Sequence, residues 1–236
     1  MAKARVKMSR VNVNLTKDIG AFYGASGSGK SYEIKRSIKK DKRVLIYDPE
    51  GEYQDENCIV IRSCVELVKF VKLKHLKNFR VAFEPKSRAD FLVFCKIAFA
   101  ECHADYPLTI VIDELGGVTS IAKAPPPWHT ILTRARKYGA KVCAGTQSPA
   151  EADKTLLRNR SSLWCGMLET PKDRRYISDE TGIPIEIIQS LLGAPFYDAI
   201  LQERGKPWVK MRKGKVVLRE SEFAHWLKNL KGVEHK

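Results

Sequence analysis

A mostly parallel sheet with helices on both faces is predicted for this 236-residue chain, an α/β protein, by three features of its sequence. Short apolar runs alternate with helical segments. The octapeptide GASGSGKS sits between a strand-like run and a helical one, and the apolar run LTIVI leads straight into Asp113-Glu114. Five uninterrupted apolar or β-branched residues are what a central strand covered on both faces requires.

Residues 19–23 read as the first strand, followed by the Gly-rich loop and a helix over 30–38. A strand at 44–47 ends in the acidic turn Asp48-Pro49-Glu50-Gly51-Glu52. Strands at 59–61 and 80–83 flank a helix over 65–72, and 89–102 reads as a helix with a buried face. After the strand at 108–112 comes a loop over 116–127, broken by glycines and prolines. A helix over 128–138 stops at Gly139, and a strand at 141–144 runs on to Thr146-Gln147. Ser148-Pro149-Ala150-Glu151 has the pattern of an N-cap, a first-turn proline and an early acid, so a helix is expected to open there. Residues 162–168 form the last strong core strand, followed by helices over 173–180 and 185–192. Strands at 197–201, 209–211 and 216–218 complete the reading.

At 44% hydrophobic residues the chain can bury a sizeable core. The richest apolar stretch, 91–100, is short and carries Lys96, far from the roughly 20 apolar residues of a membrane span. The basic N-terminus lacks the apolar segment of a signal peptide, so a soluble, intracellular, non-secreted protein is expected. Six cysteines without a CxxC pair read as buried free thiols. The formal charge of +15 points to a polyanionic partner. Both ends are cationic: residues 204–236 hold ten Lys/Arg against three Asp/Glu, and residues 1–17 hold five and no acid. Three parts follow: a basic N-terminal segment (1–17), a main α/β domain (18–203) that contains the Gly-rich octapeptide, and a small basic C-terminal extension (204–236).

Gly24-Ala25-Ser26-Gly27-Ser28-Gly29-Lys30-Ser31 fits GxxxxGK[ST] with the strand before and helix after that the motif requires. Its glycines let backbone N–H groups face a phosphate at a helix N-terminus. Lys30 is placed to reach the β- and γ-phosphates of ATP and Ser31 to ligate Mg²⁺. Asp113, at the carboxyl edge of a parallel sheet, is a second metal residue, and Glu114 can orient or deprotonate the attacking water. Hydrolysis is therefore favoured over phosphoryl transfer to a small molecule. Gln147, ending the next strand, is expected beside this pair as a sensor of γ-phosphate or water. Arginines cluster at 134/136, 158/160 and 174/175, and one of them is expected to reach a neighbouring subunit's γ-phosphate.

Together GASGSGKS, VLIYDPEGEY, TIVIDE, TRARKYGAKVCAGTQSPAE and KDRRYISD resemble the HerA/FtsK superfamily of P-loop ATPases across residues 18–182. The resemblance implies a RecA-like (ASCE-type) P-loop NTPase core, a hexameric ring and double-stranded DNA threaded through it. The small size is similar to the genome-packaging ATPases of PRD1-type tailless, membrane-containing icosahedral viruses. It implies an ATP-hydrolysing DNA translocase that packages a viral genome, with capsid or portal-vertex proteins as further partners, located in the host cytoplasm or at the virion's packaging vertex. By position, Lys30 and Ser31 bind nucleotide and metal, Asp113 and Glu114 form the hydrolytic pair, and Gln147 senses. The trans arginine falls on Arg175 or Arg136, with Arg175 preferred because it follows the last core strand. Lys123 in the 116–127 loop is the proposed DNA contact. Trp208, Phe223 and Trp226, interleaved with basic residues, read as core rather than as base-stacking groups. Alternative readings are a plasmid, conjugative-element or filamentous-phage-assembly ATPase of the same superfamily, and a non-catalytic, nucleotide-regulated DNA-binding assembly factor.

Overall fold

The computed structural model describes residues 9–121, 123–194 and 198–233, with side chains through residue 229. Its centre is a sheet of ten strands in the order β10-β9-β8-β7-β1-β6-β5-β2-β4-β3. These are β1 (Asp18–Tyr23), β2 (Arg43–Tyr47), β3 (Ile59–Ile61), β4 (Phe79–Phe83), β5 (Leu108–Ile112), β6 (Ala140–Thr146), β7 (Ser162–Cys165), β8 (Ala199–Glu203), β9 (Val209–Arg212) and β10 (Lys215–Arg219). The first seven pair in parallel, whereas β8, β9 and β10 each pair antiparallel with their neighbour. Every residue of β2 and β5 is buried, as strands covered on both faces require; the polar exceptions among their apolar side chains have partners, Arg43 in Glu101 and Thr109 in Asp41. The RecA-like P-loop architecture is thus present, with an antiparallel hairpin series added at one side.

Helices lie on both faces, unequally. Of the described helices, α1 (Lys30–Ile38) alone contributes buried side chains, Ile34 and Ile38, to the layer formed with Phe22, Val44, Ile46, Val111 and Trp164. The opposite layer receives α2 (Cys64–Leu73), α3 (Asp90–Glu101), α4 (Pro126–Arg134), α5 (Lys154–Asn159), α6 (Pro171–Thr181) and α7 (Ile185–Gln189). Tyr47 anchors this larger layer with rings of Phe91 and Phe94 at 5.2 and 5.4 Å.

Three local readings are revised. Residues 148–151 form a turn, and the helix opens only at Lys154, where the Asp153 carboxylate accepts from Thr155 N at 2.9 Å. The Ala150 N–H is instead taken by Asp173 Oδ1 of α6 at 2.9 Å, so the earlier cap pattern has no free donor to start a helix. The 128–138 helix divides into α4, opened two residues earlier by its prolines, and a 3-10 turn over Ala135–Tyr138 that ends on Gly139 with φ 71°. Of the strand expected at 197–201, Tyr197 lies outside the described residues, and β8 begins at Ala199 and continues to Glu203.

The 203/204 division suggested by charge falls in the turn between β8 and β9, two hydrogen-bonded strands of the same sheet. A final helix, α8 (Phe223–Val233), follows β10. Trp208 is fully buried and meets Phe223 edge-on at 6.1 Å, with Trp226 stacked on Phe223 at 5.9 Å. These three aromatics are packing residues.

Candidate nucleotide-hydrolysis site

Parallel pairing of β1, β6, β5 and β2 brings four loops to one sheet edge. Gly24 N donates to Thr146 O at 3.3 Å and Ala25 N to Met167 O at 2.8 Å, tying the start of the Gly-rich loop to the ends of β6 and β7. The loop then curls, with Ser28 N donating to Ala25 O at 3.1 Å. Gly27 and Gly29 take φ values of 73° and 91°, where a side chain would be strained. Gly29 is the N-cap of α1 and supplies no side-chain acceptor, so the first-turn N–H groups are left for an external anion. The buried Ser28 side chain packs against Gly24 and Gly166, outside the cleft lining, and holds the turn of the loop against β7.

The resulting cleft of about 220 Å³ is lined by the cradle residues Ala25, Ser26, Gly27, Gly29, Lys30 and Ser31. Asp48, Glu50 and Glu52 from the turn after β2, Asp113 and Glu114 just beyond β5, Gln147 just beyond β6 and Tyr32 of α1 also line it. Gln147 therefore lies beside the β5 acids, as expected from adjacent strands. Ser31 and Asp113 offer a hydroxyl and a carboxylate in one cleft, a hard-oxygen donor pair suited to Mg²⁺.

The two acids are held in different ways. Asp113 is buried; its Oδ1 is ion-paired with the Lys30 ammonium, which also donates to Asp113 O at 2.8 Å. Its Oδ2 accepts from the Tyr53 hydroxyl at 2.9 Å. Glu114 is clamped by β6: Oε1 accepts from Thr146 Oγ1 at 2.6 Å and from Gly116 N at 3.1 Å, and Oε2 from Gln147 N at 3.3 Å. Glu114 is thereby aimed by the strand end next to its own.

Sequence reasoning assigned no role here to Tyr53, Asp48 or Thr146. Tyr53 is fully buried, and burial followed by the neighbouring Asp113 charge raises its phenol pKa, so it stays protonated as a donor. Asp48, also buried, accepts from Glu52 N at 2.9 Å and Tyr53 N at 3.0 Å, folding the acidic turn back over the cleft. Burial is the main cause that raises the Asp48 carboxyl above its usual range, opposed by those two hydrogen bonds. The signal lay in DPEGEY, where an acid four and five residues before backbone donors makes a closed turn.

The arginines sort by their partners. Arg136 donates from Nη1 to Val13 O at 2.8 Å and also to Leu15 O, fastening the N-terminal segment. Arg174 donates to Leu168 O and Glu169 O at 2.8 and 2.6 Å, and Arg160 to Leu157 O and Gln202 Oε1 at 2.7 and 3.0 Å. Arg175 stands exposed on α6 with no hydrogen bond or ion pair among the described residues. Lys123 is exposed in the loop before α4, away from the cleft lining.

No protein-family model matches the chain. It is 34% identical over 175 residues to protein P9 of Pseudoalteromonas phage PM2, covering 73% of this chain and 78% of that one. The fold is that of the genome packaging NTPase B204 of Sulfolobus turreted icosahedral virus 2. The AMP complex of B204 superposes with TM-score 0.66 over 83% of this chain and 97% of B204, at 18% identity. Its ATP-gammaS complex gives 0.67 over 84% and 98%, also at 18% identity. The chain belongs to the HerA/FtsK superfamily of P-loop ATPases. Another superfamily fold, VirB4 of Thermoanaerobacter pseudethanolicus, matches with TM-score 0.59 at 12% identity over 88% of this chain and 91% of VirB4. Within the superfamily, the chain resembles the genome-packaging ATPases of tailless icosahedral viruses. Among the described residues no helix is long and apolar enough to cross a membrane.

Proposed function

We propose that this protein hydrolyses ATP to drive double-stranded DNA into a preformed viral capsid. The observation that carries the reading is the clamp on Glu114 by Thr146, Gly116 and Gln147 beside the cradle of Lys30 and Ser31. A carboxylate fixed at the γ-phosphate end of such a cleft is placed to orient and deprotonate water. The Lys30 ammonium, now on Asp113, moves to the β- and γ-phosphates when ATP arrives. Asp113 and Ser31 would hold Mg²⁺, which would supply charge neutralisation at the phosphates. The Gln147 side chain reports whether the γ-phosphate is present.

Relatives named for genome packaging support the use of that hydrolysis. Charge supports the partner. The α1–β2 turn carries Lys39, Lys40 and Lys42, and the last turn of α2 and the segment after it carry Lys72, Lys74 and Lys77; parallel pairing of β2 with β4 sets these segments side by side. None of the six is ion-paired among the described residues. Unneutralised lysines grip phosphates without reading bases, as a motor moving over any sequence must. Lys123 adds a contact on the loop after β5. The working form is a homo-oligomeric ring, six subunits by family resemblance, in which Arg175 completes the neighbour's site. Capsid or vertex proteins are its further partners, in the host cytoplasm or at the virion.

Turnover of ATP with and without duplex DNA, in wild type and Glu114→Gln, tests this. DNA should stimulate the wild type, and the variant should bind ATP yet turn over at least about a hundredfold more slowly. An inert wild type, or a fully active variant, would rule the motor out.

A further inference from the structure

Immediately after Gln147 the chain turns, and the turn is stiff. Ser148 N donates back to Thr146 Oγ1 at 3.3 Å, and Glu151 N donates to Ser148 O at 3.0 Å. Pro149, between them, has its φ fixed by the pyrrolidine ring. The turn is also fastened at its far side, to the first turn of α6. Ala150 N donates to Asp173 Oδ1 at 2.9 Å with both residues buried, and at the surface Glu151 is ion-paired with Lys172 at 3.9 Å.

Asp173 departs from what its place in the helix suggests. Thr170 is the N-cap of α6 and accepts from Asp173 N at 3.0 Å, which is half of a capping box. In the other half, the side chain three residues in reaches back to the N-cap N–H. The Asp173 carboxylate instead takes the Ala150 amide on Oδ1 and the Thr170 hydroxyl on Oδ2, the latter at 2.5 Å. Arg175 follows two residues later, on nearly the opposite side of the helix, and is exposed. Farther along α6, Tyr176 and Glu180 are held by Lys154 of α5, at 5.5 Å from the ring and 3.3 Å from Oε1. The first turn of α6 is thus set by the turn after Gln147, and the later turns by α5.

We infer that Asp173 is a positioning residue, through which the turn after Gln147 sets the start of α6 and so governs how Arg175 is presented to the next subunit. The inference rests on the reading of Arg175 as the group that completes the neighbour's site. Glu114 Oε1 and Oε2 accept from Thr146 Oγ1 and Gln147 N, so the path from the hydrolytic acid to Asp173 is an unbroken series of hydrogen bonds and one short turn. A buried amide bonded to a carboxylate is costly to release, so turn and helix shift together rather than part. What Gln147 meets in its own cleft is passed to the arginine offered next door.

Steady-state ATPase of the assembled protein, with urea unfolding on the same preparations, tests this. Asp173→Ala removes the acceptor; Asp173→Ser fits the same space but is too short to reach Ala150 N. Both should lower turnover per folded molecule by about tenfold and leave the KM for ATP within about twofold. Asp173→Asn keeps an oxygen for Ala150 N and should restore turnover to within about threefold of wild type. Joined to Arg175→Ala, Asp173→Ala should slow turnover no further, because both act through one group. Full turnover of the alanine and serine variants while Arg175→Ala is slow, a multiplicative loss in the double variant, or no rescue by asparagine overturns the inference. Full turnover of Arg175→Ala overturns instead the reading of Arg175 on which it rests.

Discussion

The Tyr53 hydroxyl donates to Asp113 Oδ2 at 2.9 Å, while Lys30 is paired with Oδ1 of the same carboxylate. A residue of the acidic turn after β2 thereby orients the acid at the end of β5, and the cradle lysine leaves only when something better arrives. Tyr53→Phe keeps the ring and removes the donor. Loss of one partner from a buried acceptor costs about 1–3 kcal/mol, so the melting temperature should fall. If Asp113 holds Mg²⁺ as proposed, freeing its carboxylate should also raise the Mg²⁺ concentration for half-maximal turnover by about tenfold. A Mg²⁺ titration of ATPase rate reads this, and an unmoved midpoint would remove Tyr53 from the site.

The two arginines put forward for the trans role separate by experiment. Arg136 fastens the backbone of Val13 and Leu15, so Arg136→Ala should lower unfolding free energy by about 1–2 kcal/mol and spare turnover per folded molecule. Arg175→Ala touches no intramolecular bond and should shift stability by less than about 0.5 kcal/mol. In the assembled protein it should cut turnover by about a hundredfold or more. Urea unfolding and steady-state ATPase measured on the same preparations would show the reverse pattern if Arg136 acts in trans.

Asp48 gives a pH dependence of defined sign. Burial raises its folded-state pKa above 3.8, so the folded chain keeps this proton to a higher pH than the unfolded chain does. Its contribution to stability is fully present below 3.8 and declines as pH rises through the raised value. Asp48→Asn does not titrate. The stability of wild type relative to this variant should therefore fall as pH rises above 3.8, measured by urea unfolding on the acid side of neutrality. A difference that grows with pH would mean that the hydrogen bonds from Glu52 N and Tyr53 N outweigh desolvation.

Elements whose order is dictated by local pattern were legible from sequence. The α1 helix runs over Lys30–Ile38 as expected, because a glycine loop precedes it and its apolar residues repeat at helical spacing. The β5 strand ends at Ile112 because an apolar run meets two acids. The site residues Lys30, Asp113, Glu114 and Gln147 line one cleft because adjacent parallel strands end at one edge. What escaped the sequence depends on partners far along the chain. Ser148–Glu151 looked like a helix start, but Asp173 captures the Ala150 amide. Tyr53 is an ordinary turn residue until the fold sets it beside Asp113, 60 positions away. The basic composition after residue 203 suggested an appendage, whereas the buried Trp208 and the pairing of β9 with β8 are set by alternating residues too few to stand out among lysines.

The hairpin from β8 to β9 has a consequence for biosynthesis. Cradle and acids are complete in the first 147 residues, yet β8, which pairs onto β7, and β9, which pairs onto β8, leave the ribosome more than fifty residues later. A chain released before them would keep every lining residue of the cleft while leaving the outer edge of β7 open to pair with another strand. The last strands thus guard the sheet against misassembly rather than build the cleft.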